Sequence, residues 1–263
     1  MTQHNDEHAP FIGLLTNKVA LVTGAGRGIG AAAARLFARE GAKVMLASRT
    51  ESELSAVVEE IRAIGGIADY IVTDVASAMS VQNAVQSVVS RYGRLDIAFN
   101  NAGVAIAPAS LAEIPENDFD MITAINYKGI WLAMVAEVHA IRATAGRGAI
   151  VNNSSVGSFR GNPGLGAYAA TKRAINSLTE TAAREYGPEG IRVNAIAPGT
   201  TMTAMMQQWA ARVPDIVERL NANTPLGRAA SPDEIAQAVT WLLSDRASYV
   251  TGVVLPVDGG ARA

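Results

Sequence analysis

Short apolar runs rich in β-branched residues alternate with longer helical patterns along most of this chain, and no other feature restricts the fold as strongly. Val19 to Thr23 reads as a strand, and Ile29 to Glu40 as an alanine-rich helix. Lys43 to Ala47 and Tyr70 to Thr73 are strand-like, with helical patterns over Glu51 to Ile64 and Ser77 to Tyr92. Leu95 to Phe99 leads through a loop to a long helix from Glu116 to Thr144. Ala149 to Asn152, Ile191 to Ala195 and Val253 to Val257 complete seven strands, and another helix carries Tyr168 and runs on to Glu185. The strands are apolar almost throughout. Such strands belong to a parallel sheet covered on both faces, whose crossovers are helices. The expectation is one α/β domain over residues 16–263, a doubly wound, seven-stranded parallel sheet with helices on both faces. Sheets of this kind bind ligands beyond the carboxyl ends of their strands.

Composition removes several function classes. Nearly half of the 263 residues are apolar, enough for a sizeable core, and the net charge of −2 is scattered. That argues against a nucleic-acid partner and against a membrane surface. No apolar run approaches the ~18 residues that span a bilayer. The chain has no cysteine, which excludes disulfides and thiol catalysis and fits a reducing compartment. His4, His8 and His139 stand without clustered thiols, so no metal site is expected. Residues 1–15 read as a flexible N-terminal arm with no secretory pattern, and the protein is expected to be cytoplasmic.

Where the first strand turns into the first helix the chain reads Gly24-Ala25-Gly26-Arg27-Gly28-Ile29-Gly30. Glycines there let the backbone approach a pyrophosphate, which sits on the positive end of the helix. The spacing is Gly-x-x-x-Gly-x-Gly rather than Gly-x-Gly-x-x-Gly, and no Lys-Ser or Lys-Thr follows, so the loop is not a P-loop. NAD-binding units place an acidic residue at the end of the second strand to hold the ribose 2′-hydroxyl. Here that place holds Ser48, followed by Arg49, and Arg27 projects from the loop. Two guanidiniums and no carboxylate suit a 2′-phosphate, so NADP is the preferred cofactor and NAD the alternative.

Tyr168 and Lys172 are four residues apart, hence on one face of a helix. Tyr168 is the only one of six tyrosines with a lysine at that spacing. An ammonium beside a phenol lowers its pKa from ~10 toward neutrality, where it can exchange protons with a substrate.

Glycine loop, Tyr-x-x-x-Lys pair and strand order together resemble the short-chain dehydrogenase/reductase family, from about Asn17 to Gly260. The resemblance implies a Rossmann-like fold and hydride transfer between a nicotinamide cofactor and a small carbonyl or alcohol substrate. It assigns Ser155, thirteen residues before Tyr168, to the substrate oxygen, and not its neighbour Ser154. It places Asn126 in a water-linked proton route through Lys172, which also binds the nicotinamide ribose. Asp74 and Val75 match the family's adenine-contacting pair, and Asn101, Ala102 and Gly103 lie in its Asn-Asn-Ala-Gly motif. Pro198, Gly199, Thr201 and Thr203 match the segment that holds the nicotinamide amide, and Asp258-Gly259-Gly260 matches its terminal motif.

Two rival readings stand beside this one. The chain could reduce 3-oxoacyl groups on an acyl carrier protein, with Arg160 and Lys128 as docking candidates. It could instead be a dinucleotide-binding regulator without turnover, against which the intact Ser155, Tyr168 and Lys172 speak. The segment from about 201 to 224 is the expected substrate lid, carrying Met202, Met205, Met206 and Trp209. Apolar residues on more than one stripe of the long central helix (Ile125, Trp131, Leu132, Val135, Val138) and of the Tyr168 helix (Ala169, Ala170, Ala174, Leu178) predict subunit contacts. With a second contact through Val253 to Val257, as the family often shows, the expected assembly is a homotetramer.

Overall fold

A computed structural model describes residues 13–263. The strands are β1 Val19–Thr23, β2 Lys43–Ser48, β3 Ile67–Val72, β4 Ile97–Asn100, β5 Gly148–Asn153, β6 Ile191–Pro198 and β7 Val254–Val257. They form one seven-stranded sheet in the order β3-β2-β1-β4-β5-β6-β7, and every pairing is parallel. Chain order reverses between β1 and β4, where Leu21 pairs with Met45 on one side and Ala98 on the other. That switch point opens the crevice in which a doubly wound sheet holds a ligand.

Helices cover both faces. On one lie α1 Gly28–Arg39, α2 Glu51–Ala63 and α9 Pro232–Leu243, which bury Phe37, Leu54, Ile61 and Leu242 against the sheet. On the other lie α3 Ala78–Tyr92, α5 Gly129–Thr144 and α6 Gly166–Tyr186, burying Val88, Ile141 and Ile175. Covering a sheet on both sides is why its strands are apolar almost throughout.

Three boundaries differ from the sequence reading. Of the arm expected over 1–15, residues 1–12 lie outside the described residues, while Leu15 is fully buried and the Leu14 N–H donates to Glu40 Oε2 at 2.6 Å. β3 starts three residues before Tyr70, because an edge strand is covered on fewer sides and tolerates Asp69, which pairs with Arg62 and Arg91. The helix expected from Glu116 to Thr144 is α4 Glu116–Ile122, a π-helical turn over Thr123–Lys128, then α5. In the wide turn the Gly129 N–H reaches back five residues to the Ala124 carbonyl. Beyond β6, α7 Ala204–Arg212 and α8 Ile216–Ala222 occupy the expected lid segment. Among the described residues no helix is long and apolar enough to cross a membrane.

Candidate active site

The turn from β1 to α1 is shaped by two close approaches. Gly24 has φ +63, and a Cβ there would lie 2.9 Å from Ala102 Cα. A Cβ on Gly30 would strike the Gly24 carbonyl oxygen, so the loop can fold on itself only with glycine at both places. Arg27 is extended at the N-cap, and no side chain caps α1. Its first N–H groups therefore remain for an anion, the site a pyrophosphate takes on a helix end. Ile29 is half-buried against the core, so its backbone and not its side chain faces that position.

The segment after β4 is tied to this loop. Thr23 Oγ1 accepts from the N–H groups of Asn101 and Ala102 at 3.0 and 3.1 Å. Asn101 Nδ2 donates to the carbonyls of Thr23 and Gly24, and Asn153 Nδ2 donates to Asn101 Oδ1 at 3.0 Å. Asn153 also offers its carbonyl to Lys172 Nζ at 2.7 Å. One chain of hydrogen bonds thus links Lys172 to the glycine loop through Asn153, a residue that sequence reasoning passed over although it directly precedes the Ser154-Ser155 pair.

α6 carries Tyr168 and Lys172 on one face, as the spacing predicts. Lys172 is only 4% exposed, and burial lowers its pKa to about 8. Its Nζ lies 5.7 Å from the centre of the Tyr168 ring. The expectation that Lys172 brings the phenol toward neutrality is not met here: burial raises the Tyr168 pKa, and a hydrogen bond from Ser155 lowers it only in part. The ammonium is directed to the Asn153 carbonyl, so desolvation of the phenol wins. Ser155 Oγ, at the turn that follows β5, accepts from the Gly157 N–H at 3.1 Å. Ser154 Oγ turns inward instead, 3.0 Å from the Lys172 carbonyl and 2.6 Å from Asn176 Oδ1.

Asn126 is fully buried within the π turn. Its Oδ1 accepts from the Val104 N–H at 2.8 Å and its Nδ2 donates to the Val104 carbonyl at 2.9 Å. Both ends of one amide thereby hold the loop after β4. A Cβ on Gly103 would lie 3.3 Å from Asn126 Oδ1 and 3.6 Å from Lys172 Nζ, which places Gly103, Asn126 and Lys172 together. Pro198 ends β6, and the Gly199 N–H donates to the Val257 carbonyl. Thr201 Oγ1 donates to the Gly199 carbonyl at 3.1 Å, while Thr203 caps α7 and its Cγ2 lies 3.3 Å from where a Gly28 Cβ would be.

At the other end of the crevice, Ser48 Oγ is buried without a hydrogen-bond partner. Arg49 is exposed and forms no ion pair among the described residues. Arg27 Nη1 pairs with Glu53 Oε1 at 3.3 Å, so a carboxylate does stand near this end, from α2 rather than from β2. Asp74 Oδ1 accepts from the Ala76 N–H at 3.0 Å. The Val75 side chain packs with Val81 and Ala133, and Ala102 packs against the same cluster. The glycine cradle and the idle Ser48 hydroxyl fit a dinucleotide laid from β2 across β1 and β4 to α6. No group of acidic, histidine or cysteine side chains that could hold a metal occurs among the described residues.

A family model described as enoyl-(acyl carrier protein) reductase matches residues 24–262. An A-factor type gamma-butyrolactone 1′-reductase (1S-forming) of Streptomyces virginiae is 46% identical over 250 residues, covering 94% of this chain and 96% of the relative. A 3-oxoacyl-(acyl-carrier-protein) reductase of Thermotoga maritima is 38% identical, covering 94% of this chain and 98% of its own. The crystal structure of levodione reductase superposes with a TM-score of 0.90 at 36% identity, covering 94% of this chain and 98% of that one.

Proposed function

The chain belongs to the short-chain dehydrogenase/reductase family, oxidoreductases that act on alcohols and ketones with a nicotinamide cofactor, and from that premise we propose that it reduces a ketone on a small cyclic substrate, preferring NADPH, with Tyr168 as proton donor. The observation that carries the reading is Tyr168 on one face of α6 with the Nζ of buried Lys172 5.7 Å from its ring centre. The nicotinamide, when bound, supplies hydride to the carbonyl carbon. Ser155 holds the carbonyl oxygen, and Tyr168 gives its proton to the alkoxide that develops there. Burial keeps the phenol protonated, which suits reduction. Lys172, cationic below about pH 8, stabilises the phenolate left behind. Asn126 positions the Val104 loop beside Lys172.

Arg49, without an ion pair among the described residues, and Arg27 support the 2′-phosphate preference. Met202 and Met205 are exposed at the lid, an apolar and adaptable lining for a ring. The test begins with gamma-butyrolactones bearing a ketone, the class for which the Streptomyces relative is named, beside cyclohexanones and 3-oxoacyl thioesters, each with NADPH and NADH. Turnover confined to the thioesters would favour carrier-protein reduction, the second reading, which the Thermotoga relative supports. No turnover on any of them would favour the regulator.

We also propose a homotetramer. Trp131 and Val135 remain exposed one turn apart on α5, and β7 forms an open sheet edge, while Val138 and Ala169 are buried and drop out of the contact set. Light scattering decides: a mass near 27.4 kDa rules out both interfaces, and a stable dimer rules out one.

A further inference from the structure

Glu53 comes from the first turn of α2 and folds its side chain over the glycine loop. A Cβ on Gly26 would lie 2.9 Å from both Cβ and Oε2 of Glu53, and 3.2 Å from Ser48 Oγ. Loop backbone, carboxylate and the unpartnered Ser48 hydroxyl therefore converge on one spot, and a side chain at position 26 would displace the acid. The other carboxylate oxygen holds Arg27.

We propose that Glu53 sets the balance between NADPH and NADH by competing with the 2′-phosphate for Arg27. The inference rests on the NADPH reading above and gives it an opposing group. The carboxylate that dinucleotide-binding units place at the end of β2 is delivered here from α2, where it can accept from a ribose 2′-hydroxyl alongside Ser48. A 2′-phosphate meets repulsion from that carboxylate and draws Arg27 away from it, together with Arg49. Exchange is easy because the pair is open to water: the Arg27 side chain is 65% exposed and that of Glu53 33%, so solvent screens their attraction and Glu53 can turn outward. Glu53 thus narrows the preference that the two arginines create, which is specificity by a repulsive element as well as attractive ones.

Glu53→Gln tests this, with Glu51→Gln as the control for net charge. Glu51 sits in the same helical turn but is directed to the Tyr70 hydroxyl at 3.1 Å. Binding of adenosine 2′,5′-bisphosphate and of 5′-AMP is followed by titration calorimetry, and kcat/KM is compared for NADPH and NADH. Glu53→Gln is expected to tighten the bisphosphate about tenfold with AMP little changed, and to raise the NADPH:NADH ratio by a similar factor, the order expected for one like charge at a half-exposed site. An unchanged bisphosphate affinity, or an equal gain in Glu51→Gln, overturns the role of Glu53. A wild-type enzyme that favours NADH while Glu53→Gln still shifts tenfold overturns the NADPH reading and leaves Glu53 as the selector. Glu53→Ala, which removes charge and hydrogen bond together, should shift in the same direction; a shift toward AMP would overturn the proposal.

Discussion

Polar groups around Tyr168 are buried and mostly bound to one another, with Asn153 Oδ1 the exception, whereas those around Ser48 are exposed or idle. At the first end Lys172, Asn126, Asn153 and Ser154 all lie below the surface, and they bond to backbone of β5, α6 and the loop after β4 and to the side chains of Asn101 and Asn176. At the second end Arg27 and Glu53 share one solvent-screened contact, while among the described residues Arg49 has no ion pair and the Ser48 hydroxyl no hydrogen-bond partner. In low dielectric an unmade hydrogen bond is costly, so the buried network admits one arrangement. In water an exposed pair is worth little, so its members can be exchanged for a ligand. On the proposed reading, the proton-transfer end is therefore held rigidly, and cofactor choice is left to groups that move at small cost.

The largest effect should come from the rigid end. Tyr168→Phe keeps the ring and removes the buried hydroxyl proposed as proton donor. Turnover is expected to fall by at least ~10²-fold, within the range of general acid catalysis, with cofactor affinity nearly unchanged. A residual rate above about a tenth of wild type would break the comparison, because the proton would then come from elsewhere.

Beneath that end sits Glu137, fully buried on α5. Its Oε2 accepts from Asn100 Nδ2 at 2.9 Å, while Glu137 Oε1 and Asn100 Oδ1 have no partner. Burial pushes the carboxyl up to about 7, and the Asn100 hydrogen bond offsets only part of this. Between the ordinary carboxylate value of 4.5 and about 7 the folded protein holds a proton that the unfolded chain has released. This contribution to stability is complete below that window and is lost as pH rises through it, by about 3 kcal/mol. Glu137→Gln should escape the loss, so its stability relative to wild type in denaturant unfolding should rise by about that amount from pH 4.5 to 8. A difference that stays flat with pH would mean the buried network tolerates charge, and the contrast between the two ends would weaken. The smallest effect is the tenfold shift expected of Glu53→Gln, which sharpens the contrast from its exposed side.

Much of this architecture was legible from local pattern. Strands such as β1 and β5 are short, apolar and followed by helices, and doubly covered strands leave that trace because both of their faces exclude water. The glycines at 24, 28 and 30 and the Tyr168–Lys172 spacing were equally legible, since a turn and a helical face are set within a few residues. The π turn at Thr123–Lys128 was not, because Asn126 is held there by the Val104 backbone on another element. Glu53 and Glu137 were passed over because an acidic residue in a helix is usually solvated, and nothing local marks the two that fold over a loop or under a sheet.

The order of elements, the glycine loop and the alignment of Tyr168 with Lys172 follow from local pattern, from helical or strand repeat and from what glycine alone permits. Which charges meet, and how dry they are, depends on how the elements pack. That packing aimed Lys172 at the Asn153 carbonyl, left burial to raise the Tyr168 pKa, and brought a carboxylate from α2 to the end of β2. Coulomb and desolvation energies depend on distance through space and on exclusion of water, and neither is a function of spacing along the chain.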